Sequence, residues 1–575
     1  MKLVANVDSR LDSLGIKVVE LCKTWRSADK EVKERIVIVE SVWDRTRHQA
    51  EFVKGIASAM NDESRRIMGD VLDQLSLYLA QATNTLNAVI KTDSRGQPHL
   101  FGFGSRAKKA SWVWKKDAVD GIIRNLEEWQ RRFDPTWFLQ VHNPNPLIDS
   151  TLAKARVSEA NSVGLPNVAK NPLAVAAGLR DVLAPKPEDT KSVFLPDSPM
   201  EWRNIPFSSM KTGRLLRASE TRWYVVDTIE VGAAARVRDI ARDVGVLATK
   251  LSRTDPLVFG LLNCKGVMAV PRQPTAPSTL PNQVQALSLS PLAPDSSLRS
   301  PSPSQRDYSC FKLVFRIPQG METQQVQSLR YLLLGSDANI SLSCKVCLAR
   351  ELAKAVNYVH TFAFVHKNIR PESILCFSDP QAARSTLFLA GFDAFRAADA
   401  NTLMAGDTGW ERNVYRHPLR QGYDPAEKYR MQHDIYSLGA VLLEIGLWES
   451  FVEYTTTTED NAAGHGPPQP KPGRTYSHFQ DWLRASRASM QQDGGSDDFL
   501  AASAFRLKDF LVEQARTRLA PRMGDKYARV AMSCLTCLDE DNEDFGGAEA
   551  ADASDGAAAL CFIGRILKDL DDISV

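Results

Sequence analysis

One ordered run of residues constrains this chain more than any other feature. Apolar residues Leu342, Val346, Ala349, Ala353 and Val356 recur at three- and four-residue steps and predict a helix. That helix leads into the charged loop VHKNIRPESIL at 365–375, then into a short strand-like segment at 386–390 that ends at the turn Gly391-Phe392-Asp393. Tyr415-Arg416-His417-Pro418 follows, and the apolar helix HDIYSLGAVLLEI occupies 433–445. A helix, a charged loop, a strand, a turn and a second helix must therefore succeed one another here, with the chemistry-bearing residues gathered on the loop and the turn.

The remainder of the chain limits what this run can belong to. At 575 residues there is room for two to four domains, at roughly 100 to 200 residues each. Lys plus Arg (71) almost balances Asp plus Glu (69), so no global field draws in nucleic acid, which is not an expected partner. No uninterrupted apolar run of about 18 residues occurs, and Asp8, Arg10, Asp12, Lys17 and Glu20 fall where a signal peptide needs an apolar core. The expectation is a cytoplasmic protein. The nine cysteines are odd in number and widely spread, which suits reduced thiols. Two CxxC pairs, Cys344/Cys347 and Cys534/Cys537, lie in apolar helical patterns without a glycine-rich knuckle. They read as buried structural cysteines, and no metal site is expected.

Residues 3–140 are helical in pattern and nearly proline-free. Ile36, Val39 and Trp43, then Met68, Val71, Leu72, Leu75, Leu79, Ala82, Leu86 and Val89, then Val119, Ile122, Ile123, Leu126, Trp129 and Phe133 form apolar stripes. A glycine- and proline-marked break at 93–104 separates the last two. This predicts an up-and-down bundle of about four helices at 1–141. Residues 142–200 read as a connector. Shorter apolar runs such as 223–229, then a helix at 237–251, predict a small mixed sheet-and-helix layer over 201–270. Residues 271–307 hold eight prolines and eight serines and no aromatic, which predicts a disordered insertion whose Ser-Pro steps are candidate phosphorylation sites. A β-like run follows at 311–317. The Thr/Gly/Pro-rich stretch 454–474 and the acidic stretch 538–555 read as surface insertions.

The ordered landmarks resemble those of the protein-kinase family. VHKNIRPESIL is similar to the catalytic loop H-R-D-L-x-x-x-N, the turn at 391–393 to D-F-G, Tyr415–Pro418 to the A-P-E region, and the helix at 433–445 to the large-lobe core helix. The resemblance implies a kinase-like domain over 201–575, with a small lobe at 201–335 and a large lobe at 336–575. The expected fold class is multi-domain: an all-α N-terminal bundle, then an α+β bilobal kinase-like fold.

Phosphoryl transfer needs a base, metal ligands, a phosphate-binding lysine and a glycine-rich cover. Asn368 stands where the family has its catalytic Asp, and an amide cannot accept the substrate proton. Ser373 replaces the metal-binding Asn and Gly391 the metal-binding Asp, while Asp393 falls two residues late and is expected to face elsewhere. No G-x-G-x-x-G lies between 195 and 230, the strand at 223–229 has no lysine, and Pro418 is followed by Leu419 where A-P-E has an acid. His366, Asp434 and Gly439 are retained, and the resemblance gives them structural roles: a backbone bond near the turn, pinning of the loop, and close helix packing. Asn368, Ser373 and Gly391 read as loop residues released from catalytic constraint.

The N-terminal bundle looks like the HeLo-type domains of fungal prion-inhibition and cell-death proteins. The domain order is similar to that of the mixed-lineage kinase domain-like proteins of necroptosis. This second resemblance implies protein partners, homo-oligomers through the bundle and recruitment to an anionic plasma-membrane surface. Arg106, Lys108, Lys109, Lys115 and Lys116 around Trp112 and Trp114 suit such a surface, at about 1 kcal/mol per charge. The expected function is thus a catalytically deficient kinase-like switch or scaffold that needs no cofactor and controls a helical effector, in fungal regulated cell death or heterokaryon incompatibility. One alternative is an active atypical kinase using ATP and Mg2+, with Asp393 or Asp379 as metal carboxylate and Lys211 or Lys250 recruited to the cleft. Another is an adaptor without membrane activity.

Overall fold

The computed structural model describes residues 2–23, 30–60, 62–95, 119–126, 129, 145–152 and 193–573, the last without 217–221, 232–236, 273–307, 319–320, 322–325, 336–339, 380–383, 398–408, 423–424, 426, 456–468, 490–496 and 546–561. The Ser-Pro insertion beyond Arg272 and most of the 142–200 connector lie outside the described residues.

Three long helices open the chain: α1 (Lys2–Lys23), α2 (Lys30–Ile56) and α3 (Asp62–Arg95). Their apolar stripes are buried, through Leu11, Val18 and Cys22 on α1, Ile36, Val39 and Trp43 on α2, and Met68, Leu72, Leu75 and Leu79 on α3. Gly15 lets α1 approach α2, because a Cβ there would stand 2.0 Å from the Trp43 ring. Residues 119–126 are helical, and Trp129 just beyond them is fully buried and donates its indole N–H to the Val71 carbonyl at 2.8 Å. No helix among the described residues is long and apolar enough to cross a membrane.

The second part is built on a six-stranded mixed sheet. Its strands are β1 (Phe194–Leu195), β2 (Met200–Asn204), β3 (Lys211–Leu215), β4 (Trp223–Glu230), β5 (Cys264–Pro271) and β6 (Tyr308–Arg316), in the order β1-β5-β6-β4-β3-β2. Only β1 against β5 is parallel. The helix α4 (Val237–Leu251) crosses between β4 and β5, burying Val244, Leu247, Ala248 and Leu251. The sheet thus begins before residue 201, inside the expected connector, and the two ends of the Ser-Pro insertion are neighbouring paired strands.

Beyond the sheet come β7 (Val326–Ser328), α5 (Leu329–Leu334), α6 (Leu342–Thr361), β8 (Phe364–Val365), β9 (Ile374–Asp379), β10 (Arg384–Leu389) and β11 (Arg396–Ala397). A three-stranded sheet has the order β10-β9-β7, and β11 pairs with β8. The apolar α7 (Met431–Leu447) is buried along its whole length. Gly439 lets α10 (Asp525–Leu535) cross it closely, since a Cβ would meet that of Cys534 at 2.8 Å; α8 (Arg474–Ser489) and α9 (Asp497–Gln514) precede it. The class is therefore multi-region α+β.

Four local expectations need correction. Cys344 and Cys347 are only half-buried on α6, because its N-terminal turns meet solvent, whereas Cys534 and Cys537 are buried. Ile374 and Leu375 open the strand β9 rather than ending the loop, since they pair with Leu389 and Phe388 of β10. The stretch 454–474 is no free loop at its ends: β12 (Val452–Tyr454) and β13 (Pro470–Pro472) pair across it. Finally, the acidic stretch after Leu538 is packed rather than decorative at its start, where Asp539 bonds Lys508 at 2.6 Å and Phe545 is buried.

Candidate functional site

The loop 366–373 and the turn 391–393 are brought together by the β9–β10 hairpin. Its register sets Ile374 opposite Leu389, so Ser373 and Ala390 adjoin and the Ala390 N–H bonds the Ser373 carbonyl at 2.9 Å. From the other side the first turn of α7 supplies Asp434. Fully buried, its carboxylate accepts from the backbone N–H of His366 (2.7 Å) and Lys367 (2.9 Å), from His360 Nε2 (3.1 Å) and from the Tyr429 hydroxyl (2.8 Å). Burial opposes its charge, yet the bond from His360 and the nearby His366 hold its carboxyl below the usual range. His366 Nε2 faces the Ala390 carbonyl at 3.0 Å, and its ring lies 4.8 Å from that of buried Phe392.

The degenerate positions have definite work. Asn368 Nδ2 donates to Asp393 Oδ1 at 2.7 Å and to the Gly391 carbonyl at 3.2 Å, while its Oδ1 accepts from Arg370 Nε at 2.7 Å. Asp393 thus faces the loop, contrary to the expectation that it would point elsewhere, because the left-handed Gly391 turns the chain back. Gly391 has φ +76°, and a Cβ on it would lie 2.6 Å from the Ser373 Cβ. It is required by conformation and crowding, not merely released from constraint. Ser373 is buried, with its Oγ within donating reach of the carbonyls of Asn368 (2.6 Å) and Arg370 (2.8 Å) and accepting from Arg370 N–H (3.2 Å). Pro418 opens a short helical turn after buried His417.

Sequence reasoning missed one buried carboxylate at the turn. Asp227, on β4, is 1% exposed and accepts the Phe392 N–H at 2.5 Å. Burial, with Asp393 nearby, pushes its carboxyl up to about 7. The only signal for it in sequence was an acid in the middle of an otherwise apolar strand run.

Neither lysine considered for the cleft enters it. Lys211 is exposed at the start of β3. Lys250 is buried, but its ammonium bonds the Phe362 carbonyl and lies 4.7 Å over the Phe364 ring. Asp379 ends β9, roughly 16 Å along the strand from Ile374 at about 3.3 Å per residue, which removes it from the turn. The carboxyls of Asp227 and Asp393 each accept a hydrogen bond from the protein, from the Phe392 N–H and from Asn368 Nδ2. Among the described residues no group of three or more His, Cys, Asp or Glu side chains is placed to hold a metal ion. The headgroup candidates Arg106, Lys108, Lys109, Trp112, Trp114, Lys115 and Lys116 lie outside the described residues.

The turn between β2 and β3 closes over the loop. Ile205 and Met210 are buried, and the Ser208 hydroxyl donates to the Glu372 carbonyl at 2.8 Å. Beside it a fully buried Arg330, on α5, binds Glu372 Oε1 (3.0 Å), Glu444 Oε1 (3.0 Å) and the Tyr415 hydroxyl (2.6 Å). A cavity of about 640 Å³ opens next to this cluster, lined in part by Phe207, Tyr331, Glu453, Tyr454 and Arg474. In comparisons with known proteins, no family model matches this chain and no curated protein matches it significantly.

Proposed function

We propose that residues from about 201 onward form a kinase-like domain that has lost phosphoryl transfer and serves as a signalling switch or scaffold for the N-terminal helices. The observation that carries this reading is Asp227. In the kinase family the strand before the helix that crosses the small lobe holds the phosphate-binding lysine. Here β4 precedes α4, and its side chain toward the 391–393 turn is a buried carboxyl. An acid at that place, with Asp393 near it, supplies no cation for a triphosphate and, when ionised, repels one where the family attracts it.

The retained features favour a fold kept for shape. Asp434 ties the loop to α7, His366 packs on Phe392, and Asn368 spends its amide on Asp393 and Gly391. The side chains of Asn368 and Ser373 are thus engaged with the protein itself. The N-terminal helices are then the effector, of the HeLo type, meeting protein partners or an anionic membrane in a cell-death or incompatibility response.

Calorimetry of the full-length chain with Mg-ATP, alongside an autophosphorylation assay on the same sample, tests this. Neither binding heat nor phosphate incorporation is expected. Binding with turnover would establish an atypical kinase and overturn the reading.

A further inference from the structure

We infer that the turn at 205–210, between β2 and β3, is a latch that closes the cleft between the six-stranded sheet and the 366–373 loop. This rests on reading that cleft as a degenerate nucleotide cleft. The turn reads IPFSSM and holds no glycine, so side chains rather than bare backbone face the loop. Four ties hold it. The Ser208 hydroxyl donates to the Glu372 carbonyl at 2.8 Å and accepts from the Met210 N–H at 3.2 Å. Ser328, which caps α5, donates its hydroxyl to the Pro206 carbonyl at 2.6 Å. Ile205 and Met210 are buried. The Phe207 ring lies 5.0 Å from that of Tyr454 and 6.3 Å from that of Tyr331.

The closed form is also strained. Phe207 has φ +52°, a left-handed conformation that a bulky residue adopts only when its surroundings impose it. Its imposers are the contacts just named, and they come from three separate elements. Glu372 connects the latch to the core: while its carbonyl accepts from Ser208, its carboxylate accepts from Tyr454 (2.9 Å) and Arg330 (3.0 Å). Opening the turn relaxes Phe207, frees the Glu372 carbonyl and separates the sheet from the loop. A strained segment held by long-range ties is thus a two-state element, and closed it unites the two parts.

Hydrogen exchange on the full chain tests the latch, comparing the native protein with Ser208→Ala and Phe207→Ala. Both variants are expected to raise exchange at least tenfold in 205–210 and in 366–375 together, with α7 protection unchanged as the check on folding. Faster exchange confined to the turn, or none, overturns the latch. If Ser208→Ala lowers α7 protection, Phe207→Ala decides, because it removes the ring contacts while keeping the left-handed strain that favours opening. Mg-ATP titration of the opened variants separates the two readings. Binding gained only on opening keeps the latch and overturns the loss of nucleotide chemistry, whereas no binding with coupled opening keeps both.

Discussion

A buried acid is expensive unless it is neutral or well bonded, and Asp227 is the sharpest case in this protein. Its folded pKa, about 7, lies above the ordinary value of about 4, so the folded chain holds the proton more tightly than the unfolded chain. Stability from this group therefore falls as pH rises from about 4 to about 7, and the full cost is present above 7. Asp227→Asn removes the charge and keeps an acceptor for the Phe392 N–H. Thermal unfolding should show the variant with the higher Tm at pH 8, the gain shrinking as pH is lowered toward 4, at roughly 2–4 °C per kcal/mol. A gain independent of pH would mean that the carboxyl is not the cause. Of the residues at this site, Asn368, Ser373, Gly391 and Asp393 were legible in sequence as departures from a motif. Asp227 was visible only as an acid within an apolar strand run, because nothing local says that β4 turns this side chain toward a residue 165 positions away.

Between elements, Arg330 does what no local pattern predicts. One guanidinium, fully buried, faces two buried carboxylates from the 366–373 loop and from α7. Burial opposes charge on both, but Arg330, helped by Arg370, wins at Glu372 and pulls it down to about 2. At Glu444 burial wins and pushes it up to about 7. One cation thus secures one anion. Arg330→Met leaves the acids without it and should cost about 3–5 kcal/mol, read by urea unfolding. Adding Glu372→Gln and Glu444→Gln to that variant should restore much of the loss; a single variant within about 1 kcal/mol of the native chain would show that the cluster is energetically idle. The elements of the fold were legible to different degrees. The helix at 237–251 follows from its apolar period, and the crossing of α7 by α10 from Gly439. The β12–β13 ladder had no signal, since Pro470 and Pro472 lack the N–H that a strand pattern leads one to expect.

For the whole molecule these buried groups set an acid profile with two regimes. Burial holds His417 down to about 3 and His433 well below its usual value, so each contributes stability above about 6.5 that is lost as pH falls. Asp227 and Glu444 work in the opposite sense from about 7 to 4, gaining as pH falls. Between pH 6 and 5 the two pairs oppose, and the stability curve should be shallow. Below about 4 the depressed carboxyls of Glu372 and Asp434 add to the histidines with nothing against them, and unfolding should become abrupt. Denaturant unfolding over a pH series checks this; a steep loss beginning at 6.5 would contradict it. By itself the sequence determined the long helices, the apolar faces of α2, α3 and α7, and which positions depart from the kinase motifs it resembles. Only the tertiary structure decided that Asp227 meets Phe392, that Ser208 reaches Glu372 across 164 residues, and that Arg330 reaches Glu444 across 114. Periodicity reports which side of an element avoids water. Which buried polar groups meet depends on how distant elements close on one another, and that is settled when the whole core packs.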